Sequence, residues 1–167
     1  MPTLMLTQRL WRRFGLTGRP MVQPDDEAAG LGSWTVVDVA TQYGELALFV
    51  NRRTCLVAVT PLLPLPDVLI LFAVQIGTEL GRLGVPKETI DTEQAAVMKL
   101  KLGKNTDRSL LGTANQLAFD AQHFDERVAS PKVLCDRLQA WLNETPHVKR
   151  VPSFAADAVA EIFATRH

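Results

Sequence analysis

Two nearly unbroken apolar runs lie almost end to end in this chain. Residues 45–50 are apolar after Glu45, and residues 54–60 are apolar and β-branched between two threonines. Only Asn51-Arg52-Arg53 separates them. Runs of this length with a polar turn between them read as neighbouring strands of an antiparallel meander. A strand with one wet face alternates; a strand that does not alternate needs cover on both faces. The meander therefore demands helices on each side of the sheet, and most of the remaining sequence must supply them.

It can. Residues 66–84 carry Val68 or Leu69, Phe72, Ile76, Leu80 and Leu83 at helical spacing, with Gly84 placed to end the helix. Asp107 or Thr106 can cap a helix over 107–124 whose buried stripe is Leu110, Ala114, Leu117, Ala121 and Phe124. Ser130-Pro131 opens another over 131–143, with Leu134, Leu138, Trp141 and Leu142 inside. A last helix, 153–166, follows Pro152 with Ser153 as its cap. Pro86 opens a short helical turn through Ile90. At the start, residues 4–14 place Leu6, Leu10, Trp11 and Phe14 opposite Arg9, Arg12 and Arg13, which reads as a basic amphipathic helix, with a short strand over Thr3 to Thr7 as the open alternative for its beginning. Residues 21–32 read as a surface loop.

The strands are expected over 34–61 and again over 97–102. In the second segment Lys99 and Lys101 alternate with Met98, Leu100 and Leu102, as suits a sheet edge. The chain of 167 residues, 47% of them hydrophobic, is expected to form one α+β domain over 1–167. Its sheet is expected to be mostly antiparallel, with about four strands covered by about four to six helices.

Charge excludes some functions. Lys+Arg and Asp+Glu are both 18, so no global field favours nucleic acid or an acidic membrane. The apolar stretch over 62–76 is broken by Pro64, Pro66, Asp67 and Gln75 and is too short to cross a bilayer. Residues 1–24 contain arginines and no acid, as transit peptides do, but lack their serine richness and read as an ordinary basic segment. Cys55 and Cys135 show no metal-ligand spacing and read as buried, reduced thiols of a cytoplasmic protein. His123, His147 and His167 form no ligand pair, so neither a metal nor a cofactor is expected.

Polar groups converge in one segment, residues 104–116. Lys104, Asn105, Arg108, Ser109, Gly112 and Asn115 gather where a helix start offers unpaired N–H groups, which favours an anion or a phosphate. The alternative is an ordinary capped helix in which Gly112 permits tight packing. Asn51, Arg53 and Thr54 put further polar groups on the hairpin bend, where Asn51 can take a positive φ. Asp38 and Glu45 flank the neighbouring hairpin, too loosely patterned for an acid–base dyad.

The order of segments resembles a small uncharacterised bacterial family, known only as a domain of unknown function. The pieces carrying the resemblance are the basic segment 10–14, Trp34, the run Phe49-Val-Asn-Arg-Arg-Thr54, the strand after it, Gly84-Val-Pro86, and Asn105-Thr-Asp-Arg-Ser-Leu-Leu-Gly-Thr-Ala-Asn115. The similarity spans residues 4–145. Gln116 stands where an acid would be expected, which lowers an enzymatic reading. The resemblance implies bacterial origin and cytoplasmic residence and supplies no activity.

The leading expectation is a non-enzymatic binding module for a protein or a phosphate-bearing ligand, with nucleic acid not favoured by net charge. It uses Asn51, Arg53, Thr54, Lys104, Asn105, Arg108, Ser109, Gly112 and Asn115 as one patch, provided the bend and the later helix start meet in space. The alternatives are an enzyme on a small phosphorylated or nucleotide substrate, with His123, Asp107 or Asp120 as base, and a structural subunit of a complex.

Overall fold

Strands that are apolar on both faces belong in the middle of a layered molecule. The computed structural model, which describes residues 2–18, 22, 30–124, 127–147 and 152–164, has that arrangement. The strands are β1 (Thr3–Leu6), β2 (Trp34–Thr41), β3 (Gly44–Asn51), β4 (Val57–Pro61) and β5 (Lys101–Lys104). They form a five-stranded sheet in the order β4-β3-β2-β1-β5. The β2–β3 and β3–β4 pairs are antiparallel, whereas β1 runs parallel to both β2 and β5, so the sheet is mixed.

Six helices accompany it among the described residues: α1 (Gln8–Arg13), α2 (Leu65–Arg82), α3 (Lys87–Val97), α4 (Arg108–Gln122), α5 (Pro131–Glu144) and α6 (Ala155–Ala164). Alternate strand residues feed two separate cores. Leu4, Leu6, Trp34, Val36, Phe49 and Ala58 pack with α1, α2, α3 and α6. Met5, Val37, Val39, Leu48, Val57 and Val59 pack with α4 and α5. The unbroken apolar runs are thereby explained: each face of β3 and β4 has its own helical cover.

Several local expectations hold. The stripe Val68, Phe72, Ile76 and Leu80 is buried on α2. Phe72 stacks on Phe49 at 3.9 Å and meets Trp34 edge-on at 5.0 Å. Gly84, at φ +77°, closes α2: its N–H donates to the Gly81 carbonyl, and the Val85 N–H reaches back to Leu80, both at 3.0 Å. Asp107 caps α4 and Ser130 caps α5. Cys55 and Cys135 are buried free thiols, and burial chiefly pushes the Cys135 thiol up to about 12.

Other elements differ from the sequence reading. The helix expected over 4–14 is a strand followed by a short helix. Leu4, Met5 and Leu6 are all buried, because β1 lies between β2 and β5 with a core on each side. Thr7 separates the two elements by accepting a hydrogen bond from the Leu10 N–H at 3.3 Å. The expected helical turn after Pro86 extends to Val97, so the edge strand begins at Lys101 rather than 97. Glu93 and Val97 are buried on that longer helix. Gln94 also fastens it to α2, donating to the Ala73 carbonyl at 2.9 Å. The β3–β4 bend is longer than a tight turn, and its left-handed residue is Cys55 (φ +57°), not Asn51. The last helix begins at Ala155. Most of the loop expected over 21–32 lies outside the described residues, as do Arg19 and His167.

Candidate functional site

The bend after β3 is organised by one buried amide. Asn51 is fully buried, and its Oδ1 accepts from the Arg53 N–H, the Thr54 N–H and the Thr54 hydroxyl, each at 3.0 Å. Its Nδ2 donates to the Leu31 carbonyl at 2.8 Å and to Ser33 at 3.3 Å. Arg53 donates to the Gly30 carbonyl. From the other side, buried Glu93 accepts from the Leu31 N–H at 3.1 Å. Asn51 and Arg53 therefore bind the 30–33 segment to the end of the sheet, while Thr54 closes the bend on Asn51 and accepts from the Leu56 N–H at 3.0 Å. Such a fully satisfied buried network fixes one conformation of the bend.

The start of α4 is organised just as tightly. The Asn105 N–H donates to the Leu6 carbonyl at 3.2 Å, and its side-chain amide donates to the Thr35 hydroxyl. Its Oδ1 accepts from the Asp107 N–H at 3.1 Å. Asp107 Oδ1 then accepts from the Leu110 N–H at 2.9 Å, capping the helix. Its Oδ2 meets Arg52 Nε at 3.0 Å. Burial works to raise the Asp107 carboxyl, but the Leu110 N–H, the Arg52 guanidinium and the Ser109 N–H together hold it below its ordinary value.

The hairpin bend and the helix start thus meet, joined by Arg52 rather than Arg53. What they expose is narrower than the sequence patch. Asn51, Thr54 and Asn105 direct their polar groups into the fold. Lys104 and Asn115 are exposed, and neither lines a cavity with Arg108. Arg108, Ser109 and Gly112 do come together.

These three line a groove of about 670 Å³ along α4, continued by Thr113, Gln116 and Asp120. Thr145, Pro146 and His147, just past α5, form the opposite wall. The Arg108 side chain makes no hydrogen bond or ion pair with the described residues. Gly112 is exposed, and a Cβ built there meets nothing within 4 Å. The tight packing that could have explained this glycine is absent, and its missing side chain widens the groove. Beyond Asp120, Phe124 on the α4 side and Trp141 on α5 bridge the helices with ring centroids 5.2 Å apart.

Of the groove residues that the sequence patch left out, Gln116 and Asp120 had a readable signal. Arg108, Gly112, Gln116 and Asp120 recur every fourth residue and so share a helix face. The wall from 145 to 147 carries no such signal, since only folding brings it there.

The other constellations resolve into internal contacts. Arg9 pairs with Asp38 at 2.9 Å, and Arg13 pairs with Glu45 at 2.5 Å. Two of the three arginines of the basic helix are thus paired against β2 and β3, and a hollow of about 560 Å³ beside it is lined by Arg9, Arg12, Arg13 and Asp38. Of the three base candidates, Asp107 is engaged in the cap, Asp120 accepts from Gln116 at 3.0 Å, and His123 Nδ1 lies 2.8 Å from the Phe119 carbonyl. Among the described residues no group of three His, Cys, Asp or Glu side chains could hold a metal ion, and no helix is long and apolar enough to cross a membrane.

The chain belongs to the DUF6933 family, a domain of unknown function, whose model matches residues 3–154. No curated protein matches it.

Proposed function

We propose that this family member is a non-enzymatic binding module of the bacterial cytoplasm, and that the α4 groove is its contact surface. One observation carries the reading. Of the cations around the bend and the helix start, Arg52 and Arg53 are engaged by the chain itself and Lys104 is exposed outside the groove, while Arg108 lines the open groove beside Ser109 with no side-chain partner among the described residues. An unpaired guanidinium at the positive end of a helix suits a carboxylate or phosphate group of a ligand. The Ser109 hydroxyl, rather than the Ser109 and Leu110 N–H groups that Asp107 already holds, can orient it. An enzyme would need a base aimed at such a ligand; Asp107 is engaged in the cap, His123 does not line the groove, and Asp120 lies about 18 Å along α4 from Arg108.

Inorganic phosphate is the smallest probe of this site. Titrated into the 15N-labelled protein, it is expected to move the Ser109 and Gly112 amide resonances, and Arg108→Ala is expected to abolish the shifts without lowering Tm. Arg53→Ala is expected to do the reverse, lowering Tm because the Gly30 tether is lost. Phosphate shifts that survive Arg108→Ala, or none at α4 at all, would refute the reading.

A further inference from the structure

The groove has a length, a polarity and a lining that together specify more than an anion. The twelve steps from Arg108 to Asp120 along α4 span about 18 Å at the helical rise per residue. An extended chain covers that distance in about five to six residues. The two ends carry opposite charge: Arg108 at one and Asp120 at the other. Between them the walls offer hydroxyl and amide groups, from Ser109, Thr113, Gln116 and Thr145, beside Leu117, Pro146 and His147, with no charged side chain on α4 between the two ends. Past the acidic end stands Trp141, 41% exposed and backed by Phe124.

We infer that the groove takes an extended peptide segment of a partner protein, with an acidic side chain at the Arg108 end and a basic one at the Asp120 end. This rests on the binding-module reading and narrows its ligand. The charge pattern selects a polypeptide over a nucleic-acid strand. A strand laid along 18 Å of groove carries a phosphate every few ångströms and would press one against Asp120. A peptide can place a carboxylate and an ammonium five or six residues apart and leave neutral backbone between them. That backbone N–H and C=O pattern matches the hydroxyl and amide lining, as in other extended-peptide grooves. Gly112, a third of the way along from Arg108, leaves room for the backbone to approach the helix.

The test uses the full chain and a displayed library of random heptapeptides. The enriched peptides are expected to pair an acid with Lys or Arg at a separation of five or six residues. Individual binders are then followed by fluorescence of Trp141, the exposed indole of the three (Trp11 and Trp34 are buried). Both Arg108→Ala and Asp120→Lys are expected to weaken such a peptide about tenfold or more, as loss of a complementary charge does. Asp120→Lys should also shift enrichment toward peptides with an acid at both ends. If phosphate moves the α4 resonances but enrichment shows no charge spacing, or is indifferent to Asp120→Lys, the peptide inference fails and the binding module stands. If neither phosphate nor any peptide engages Arg108, both fail.

Discussion

Asn143 offers the sharpest test of how the sheet is closed. β4 is an edge strand, and Val57 and Val59 direct their outward N–H and C=O groups away from β3. Asn143 on α5 satisfies both groups of Val57: its Oδ1 accepts from the N–H at 2.7 Å, and its Nδ2 donates to the C=O at 2.9 Å. Gln139, one turn earlier, accepts from the Val59 N–H at 2.9 Å, and Gln75 on α2 donates to the Val59 C=O at 2.8 Å. Three side-chain amides thus stand where a sixth strand would pair. Both Val57 and Asn143 are buried, so water cannot replace what a mutation removes. Asn143→Ala orphans two buried backbone groups at about 1–3 kcal/mol each, hence about 2–6 kcal/mol in all. With a urea m-value of about 2 kcal/mol/M, a loss of about 3 kcal/mol lowers the unfolding midpoint by about 1.5 M.

Asn143→Asp separates the donor from the acceptor. An aspartate can still accept from the Val57 N–H, but it repels the Val57 carbonyl unless it is protonated. Its folded-state pKa is therefore expected above its unfolded value of about 3.9. A carboxyl raised on folding leaves the variant most stable below the unfolded pKa, and that stability is lost as pH rises through the folded pKa. Urea unfolding from pH 4 to 8, with wild type as the baseline, measures this. A loss under about 1 kcal/mol for Asn143→Ala, or an Asn143→Asp variant that tracks wild type at every pH, would refute the edge-closure account.

Three further outcomes follow from the same contacts. Asp107→Ala should cost about 1 kcal/mol through the lost cap. Because the Asp107 pKa is lowered on folding, its charge-dependent contribution is present above the unfolded pKa and disappears as pH falls through the folded one, so wild type and variant converge in acid denaturation curves. Gly112→Ala should stabilise the protein by about 0.5–1 kcal/mol, read as a raised Tm, since the helix interior favours alanine and the space is open; a lowered Tm would contradict that geometry. Gly30→Ala should destabilise by about 1–3 kcal/mol in chemical denaturation, because it places a side chain at φ +78° and 1.8 Å from the Glu93 carboxylate that holds the Leu31 N–H.

Much of this molecule is written in short-range pattern. The α2 stripe, the Gly84 stop, the Asp107 and Ser130 caps and the two-sided burial of β3 and β4 each follow from residues within a few turns of one another, where spacing and backbone chemistry decide the outcome. The amides of Gln75, Gln139 and Asn143 were not legible in the sequence, because their purpose depends on which strand edge they meet. Tertiary structure alone decided the rest. Leu4-Met5-Leu6 suits a helix or a strand equally well, and parallel pairing with β2 and β5, contacts distant in sequence, made it a strand. The same holds at the groove: Arg108 was legible as a cation at a helix start, yet folding brought Arg52 to Asp107, tied Arg53 to Gly30 and laid residues 145–147 opposite α4. Local sequence sets the periodicity of each element, while the identity of its neighbours depends on how all the apolar faces are buried at once.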